Sequence, residues 1–592
     1  MVLVDSEGSS FSPLQSSLYR REVFDERSRS KMPDGIKVAV DGPAGPQVEP
    51  SGRRPASVIH RTAVKSGSTA SLAEPLGITE QGGENKATTV QHCPRPLGKL
   101  REFNMDQEQC PYATVVATYL SYLMLVMYGH IRDFFGKIFY PAAYKHLRID
   151  DGYAPLTSDF ESLYTRRLYM RIRDCWHRPI TGTPGRTLNL LERYSDDYNH
   201  TFKFTGQINE MLNLSSYNYL GFAQGTGSCA DAVIECVKRY SVGVGGTRVE
   251  LGSLDLHMEL ERLVARFVGT EDSIIFNMGF ATNALMIPAF VGAGSLIISD
   301  QLNHTSLVFG SRLSRATIRI FKHNDVDDLE QVLRTAICQG QPRTHRPWKK
   351  IVVIVEGLFS MEGSILKLPQ IVALKQKYKF YLFVDEAHSI GALGARGRGV
   401  CDFFGVDPAD VDVLMGTFTK SFGAAGGYMA GSRELIQHFK KVGYAHIYAE
   451  PMPPPICQQV LTSMKIIMGE DGTDEGQRRL EAIFNNSVYF MRELRNMGFI
   501  VYGDEGSPIV PLLLFQPGKI RAFSHEALAR NMAVVVVGYP ATPIHTARVR
   551  FCISASHTKA DLDFVLQQVN EMGDVMQLKF RKRHWLSWTW IL

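Results

Sequence analysis

Between residues 272 and 430 the chain repeats one pattern: a short apolar run rich in β-branched residues, a polar break, then a stretch of helical length. The runs fall at 272–277, 295–299, 316–321, 350–355, 380–384, 411–416 and 427–430. Strands that read as near-continuous apolar runs are buried on both faces, and their regular alternation with helices is what a doubly wound sheet requires. The pattern predicts an α/β domain whose seven strands form one mostly parallel sheet. In such a sheet ligands gather outside the carboxyl ends of the strands, so the polar residues found there are the candidates for chemistry.

Two strand ends carry the strongest signals. The run 380–384 stops at Asp385-Glu386-Ala387-His388, which brings a carboxylate and an imidazole out together. Residues 411–431 read as strand, turn and strand, with Lys420 on the turn and a glycine cluster after it. Three readings of that lysine are open. It could be a solvated loop cation. It could grip phosphate, although Gly416 to Ser421 lacks the Gly-x-x-x-x-Gly-Lys-Ser/Thr spacing. It could be a Schiff-base lysine holding an aldehyde cofactor, which needs local desolvation and nearby phosphate-binding hydroxyls and amides. Thr417 and Thr419 offer the hydroxyls. Asp385 could cap a helix, ligate a metal, or keep the ring nitrogen of pyridoxal phosphate protonated, with His388 reaching the phenolic oxygen. Gly279 and Phe280 follow a strand and open a helix, where free amides and the helix dipole attract phosphate. Arg548 and Arg550 share one face of a late strand, and an arginine fork can take a substrate carboxylate.

The stretches "DEAHSIG", "GTFTKSFGAAGGY", "SDQLNHTSL", "NMGFATN" and "VEGLFSMEGSI" resemble, in order and spacing, the α-oxoamine synthases, a fold-type I pyridoxal phosphate-dependent transferase family. "LYMRIRDCWHRPI", "SDDYNHTFKFTG" and "VVVVGYPATP" are similar to the branch of that family formed by serine palmitoyltransferase catalytic subunits, and the likeness covers about 153–573. The resemblance implies decarboxylating condensation of L-serine with palmitoyl-CoA to 3-ketosphinganine, with pyridoxal 5'-phosphate as cofactor. It implies that Lys420 holds the cofactor and takes the α-proton, that His304 stacks on the ring, and that Arg550 rather than Arg548 binds the substrate carboxylate. Ser360 and Glu356 are second contacts to ring or substrate, and Tyr217 and Asn218 are candidate neighbours of the site at a subunit interface. A turn before a helix is the plain alternative for those last two residues. It further implies a heterodimer with the lysine-lacking serine palmitoyltransferase subunit, in the endoplasmic reticulum membrane with the catalytic domain facing the cytosol. Relatives of this branch keep serines before Met-Pro-Pro, whereas Glu450 and Pro451 stand here. Alternatives are a glycine-using sister enzyme and a weakly active or regulatory subunit.

The remaining chain supplies context. Residues 1–105 are rich in Ser, Gly, Pro and charge, the composition of a disordered arm, and the first residues lack the features of a signal peptide. Within 106–140, residues 112–129 carry no charge, which is the lower limit for crossing a bilayer, and 130–140 read as an interfacial continuation. Lys99 and Arg101 on one side and Arg132 and Lys137 on the other leave its orientation open. A helical interface segment is expected over 141–215, a large cofactor-binding domain over 216–454 and a smaller α/β domain over 455–577. The tail 578–592 places three tryptophans beside a basic cluster, a composition suited to membrane lipid. A net charge of +5 over 592 residues, with acids and bases interleaved, gives no warrant for nucleic-acid binding. Nine scattered cysteines without CxxC spacing argue against a zinc site or disulfide framework and suit a reducing compartment.

Overall fold

The computed structural model describes residues 111–147, 152–155 and 159–580; the arm expected over 1–105, and residues 581–592 of the tail, lie outside them. Because no charge interrupts 112–129, a helix can run unbroken. It continues through the expected interfacial stretch as one element, α1 (Tyr112–Phe139), and stops before Pro141, which lacks the N–H a further turn would use. Its 28 residues run about 42 Å, long enough to cross a bilayer by length and composition. One stripe faces protein: Thr118, Tyr122, Gly129 and Asp133 are buried, while Leu120, Leu123, Met124 and Phe134 are more than half exposed. Asp133 is the helix's single acid, and it accepts hydrogen bonds from Arg166 (2.7 Å) and Arg167 (2.5 Å).

The helical reading of 141–215 is corrected beyond Cys175. Strands β1 (Ile180–Thr181), β2 (Thr187–Tyr194) and β3 (Lys203–Asn213) form an antiparallel sheet there. Period-two alternation was present, with Leu188, Leu190 and Met211 inward, but Arg186, Glu192 and Arg193 around it made the stretch look like a charged helix.

All seven expected strands form one sheet: β4 (Asp272–Phe276), β5 (Leu296–Asp300), β6 (Thr317–Phe321), β7 (Ile351–Glu356), β8 (Tyr381–Asp385), β9 (Val413–Thr417) and β10 (Gly427–Gly431). Their order is β4-β10-β9-β8-β7-β5-β6; β10 runs antiparallel to both neighbours and the remaining pairs are parallel. Val353, Val355, Leu382 and Val384 point into one fully buried cluster, and Val352, Ile354, Phe383 and Met415 into another on the opposite face. Helices α2 (Gly279–Phe290) and α3 (Thr305–Leu313) follow β4 and β5.

Residues beyond 453 begin with α4 (Pro454–Met468) and α5 (Glu475–Asn496). Strand β11 (Ile509–Phe515) comes next, then β12 (Met532–Ala533), β13 (Val535–Val537) and β14 (Ala547–Cys552). Helix α6 (Lys559–Val575) starts at a capping box made by Thr558 and Asp561. Strands β11, β14 and β13 pair antiparallel, while β12 leaves them and pairs parallel with β3. The turn 538–546 between β13 and β14 rests against α1 and the residues after it: Tyr119 Oη lies 3.3 Å from His545 Nδ1, and Tyr164 donates to the Tyr539 carbonyl.

Candidate active site

Sheet register gathers one set of strand ends. Glu356 sits beside Asp385 across β7 and β8, and Asp385 beside Met415 across β8 and β9. Thr417 faces Gly427, and Gly427 faces Phe276, two residues before Met278, the N-cap of α2. The turn bearing Lys420 and the first turn of α2 therefore meet above two carboxylates.

Lys420 is half-buried at this edge, with Nζ 6.0 Å from the centre of the Tyr217 ring. Loss of solvation lowers its pKa from the ordinary lysine range to about 8; Asp385 and Glu356 resist the fall and Arg550 adds to it. Near pH 8 about half of the population is then free amine, the nucleophilic form. The sign follows: capture of an aldehyde at Lys420 should slow about tenfold per unit below pH 8 and level off above it. Stopped-flow absorbance with pyridoxal phosphate across pH 6 to about 9.5 checks this; a rate that is flat with pH would show that Lys420 is not the amine that reacts.

Asp385 is buried, and its two oxygens have distinct partners: Oδ1 accepts from the Ala387 N–H (2.8 Å) and Oδ2 from Asn283 Nδ2 (2.7 Å). Burial, then the neighbouring Asp385, raises the Glu356 carboxyl well above the usual range, and that group accepts the backbone N–H of His304. His304 is the N-cap of α3. Its Nδ1 accepts from the Ser306 N–H (3.2 Å) and lies 2.8 Å from Ser306 Oγ. Burial and Lys420 lower its pKa against the pull of Asp385.

His388 is enclosed, and burial, then Lys420 and Arg550, hold its pKa well below the usual histidine range. The Tyr219 hydroxyl lies 2.8 Å from His388 Nδ1. Burial holds Tyr219 as a phenol, so it can donate to Nδ1 and leave the imidazole proton on Nε2. Tyr217 packs edge-on to His388, with centroids 5.2 Å apart. Arg550 donates to the Tyr217 hydroxyl, and its guanidinium carbon stands 4.8 Å from that ring's centre. The Arg550 side chain is buried, and its Nε has no partner among the described residues.

Arg548, though on the same strand face, is spent elsewhere. It donates to the Met361 carbonyl (2.7 Å) and the Thr546 carbonyl (2.9 Å), and meets the Glu362 carboxylate at 3.3 Å. Replacing Arg548 with methionine would leave Glu362 buried and unpaired, so thermal unfolding should show a loss of about 3–5 kcal/mol with little change in serine KM.

Gly279 marks the phosphate end. A Cβ built on it would lie 2.9 Å from Thr417 Cγ2, so only glycine lets the α2 amides approach the β9 end this closely. Phe280 stands edge-on to His304 at 6.3 Å, and Thr419 Oγ1 lies 3.3 Å from Thr417 Oγ1. Helix amides, a threonine hydroxyl, a desolvated lysine, an aspartate and a neutral histidine form a donor set that fits pyridoxal phosphate.

Two expected residues are placed differently. Asn218 donates to the carbonyls of Pro184 (3.1 Å) and Ala223 (3.4 Å) and accepts from the Ala223 N–H, so both hydrogens of its amide serve to close a turn. Ser360 is half-buried in the turn after β7 and makes no hydrogen bond among the described residues. Asn283, Ser306 and Tyr219 were missed as functional residues, although Asn283 and Ser306 lie inside motifs quoted above and Tyr219 stands two residues after Tyr217. Their signal was a polar residue at a core-facing position, for example Asn283 one helical turn after Gly279. Away from this edge, ligand atoms of Asp174, Cys175 and His525 lie within 4.8 Å of one another, but the Asp174 carboxylate is occupied by His525 (2.6 Å) and Arg521 (3.3 Å).

The fold and this edge define a pyridoxal phosphate-dependent transferase of fold type I, and residues 209–569 match the family model for aminotransferase class I and II. The chain belongs to the serine palmitoyltransferase family. It is 53% identical over 474 residues to serine palmitoyltransferase 2 of Schizosaccharomyces pombe, a match covering 80% of this chain and 79% of that one. Among solved structures it is similar to a Sphingomonas wittichii serine palmitoyltransferase (TM-score 0.63, 27% identity, 72% of this chain and 100% of that one). It is also similar to an SPT solved with a PLP internal aldimine (TM-score 0.59, 27% identity, 68% and 93%).

Proposed function

We propose that this chain condenses L-serine with palmitoyl-CoA, releasing CoA and carbon dioxide, to give 3-ketosphinganine, the first step of sphingolipid synthesis. The observation that carries the reading is one aromatic ring with two groups over it. Lys420 Nζ and the Arg550 guanidinium stand 6.0 and 4.8 Å from the centre of the Tyr217 ring, so an amine and a buried cation able to receive a carboxylate border the same aromatic side chain. An α-amino acid presents the two groups such a pair would take.

Bound here, pyridoxal phosphate supplies an electron sink that makes the α-proton of an amino acid acidic. Gly279 and Phe280 amides with the Thr417 hydroxyl would hold its phosphate, Asp385 its ring nitrogen, His388 its phenolic oxygen and Lys420 its aldehyde, while His304 packs on the ring. Arg550 takes the serine carboxylate through charge-assisted hydrogen bonds and fixes which bond to the α-carbon can break. With serine bound, the Lys420 amine, its pKa lowered to about 8 by loss of solvation, takes the α-proton at Nζ. The carbon so activated attacks the thioester carbonyl, the thiolate of CoA leaves, the serine carboxylate departs as carbon dioxide, and the α-carbon takes back the proton that Lys420 Nζ held.

The hydroxyl-poor segment at Glu450 and Pro451 supports a partner that needs no phosphate contact from this chain, namely the lysine-lacking subunit of the same family. Tyr448 and Glu450 face outward, as a contacting segment requires. Helix α1 supports membrane attachment, and the free cysteines suit a catalytic domain on the cytosolic side of the endoplasmic reticulum membrane. The test is purification with and without that partner, followed by visible absorbance of bound cofactor and assays of serine and glycine against acyl-CoA of graded length. Preference for glycine with short acyl-CoA would overturn the substrate reading, and a fully active homodimer the partner reading.

A further inference from the structure

Asn283 sits on α2 one turn below the phosphate end, and its amide faces inward with almost no exposure. Nδ2 donates to Asp385 Oδ2 (2.7 Å) and to Ser306 Oγ (3.0 Å), while Oδ1 has no partner among the described residues. The opposite orientation would set an amide oxygen against a carboxylate oxygen, so the nitrogen must face Asp385. Both Nδ2 hydrogens are then committed, one to the carboxylate and one to the hydroxyl.

Ser306 continues the line. Its Oγ accepts from Asn283, so its own hydrogen is free to donate to His304 Nδ1 at 2.8 Å. The Ser306 N–H donates to that same Nδ1, which marks it as an acceptor and leaves the imidazole proton on Nε2. The chain of contacts therefore runs Asp385, Asn283, Ser306, His304, and it joins three elements: β8, α2 and the start of α3.

We propose that Asn283 and Ser306 are positioning residues that tie the carboxylate under the cofactor's ring nitrogen to the imidazole on the ring's face, fixing the angle of the one and the tautomer of the other. The inference rests on the cofactor reading given above. Asn283 fixes Asp385 directly, and Ser306 fixes only His304. The two substitutions thus have different signatures. Because α2 also opens at Gly279, one helix sets the height of the phosphate and the direction of the ring-nitrogen carboxylate together.

The test uses the full chain purified with its partner and loaded with pyridoxal phosphate, read by visible circular dichroism of the bound cofactor, cofactor Kd, and kcat and KM for serine. Asn283→Ala should raise cofactor Kd about tenfold, reduce the dichroic band and lower kcat at least about tenfold, with serine KM within about twofold. Ser306→Ala should lower kcat and alter the band while leaving Kd near wild type, and Ser306→Thr, which keeps a hydroxyl, should recover both. If Asn283→Ala does not fold, Asn283→Ser keeps a short donor and should raise cofactor Kd and lower kcat in the same direction as expected of Asn283→Ala but by less than about tenfold, and an unchanged Kd would overturn the Asn283 role. Wild-type dichroism and kcat in Ser306→Ala, or a Ser306→Thr as impaired as Ser306→Ala, would overturn the proposal. Asp385→Ala run in parallel separates the two levels. If it leaves Kd and the band unchanged, the ring-nitrogen assignment itself fails; if it abolishes them while Asn283→Ala matches wild type, only the bridge fails.

Discussion

Lys420→Ala is expected to lower product formation by at least about four orders of magnitude, because one nitrogen serves as both the anchor for the aldehyde and the base for the α-proton. General-base catalysis alone is worth about 10²- to 10⁴-fold, and loss of the covalent anchor adds to it. The rest of the site stays intact in that variant: the Gly279 cradle, Asp385 and His388 remain in place. Cofactor should still bind, but it should wash away on gel filtration and lack the long-wavelength absorption of a lysine-bound aldehyde. Lys420→Arg keeps the charge without a usable nucleophile and should be equally inactive. Activity of either variant within about tenfold of wild type would move the chemistry away from this residue.

The second large effect is expected at Arg550. Arg550→Met should raise serine KM about 100-fold, roughly 2.7 kcal/mol, since the substrate carboxylate would enter a buried position without its charged partner. A second consequence follows from the same charge. Arg550 is among the groups that lower the Lys420 pKa, so its removal should move the pH midpoint of cofactor capture above 8. Arg550→Lys keeps the charge but loses the fork, so the midpoint should stay near 8 while serine KM still rises. A KM unchanged in Arg550→Met, with cofactor binding lost, would place Arg550 at the cofactor and not at the amino acid.

Six of the seven strands of the large sheet were legible because they are almost wholly buried on both faces and so read as apolar runs, as Val352 to Val355 and Leu382 to Val384 do, while the outer strand β6 is partly exposed. Lys420, Asp385 and Gly279 were legible for a related reason: chemistry at a strand end interrupts an apolar run and leaves a mark in one dimension. The bridge through Asn283 and Ser306 left only the faint mark of polar residues at core-facing positions, since it spans residues far apart in the chain that meet only once β8, α2 and α3 are packed. Asn218 shows how a short motif leaves two readings open. The family resemblance made it a candidate neighbour of the site and a turn was the plain alternative; such side chains commonly satisfy nearby backbone, and this one does. Strands β2 and β3 were obscured by arginine and glutamate on their open face, which carry no strand signal of their own.

The parallel pairing of β3 with β12 bears on how the polypeptide is made. Met532 is laid beside Leu212 with the whole large sheet lying between them in the sequence, so on a ribosome the earlier strand waits with an open edge until nearly the entire chain has emerged. Truncation before residue 532 should therefore yield a product that seeks chaperones or aggregates even though the complete cofactor sheet has been synthesised, and completion of the terminal portion becomes the step at which the nascent molecule commits to its native form.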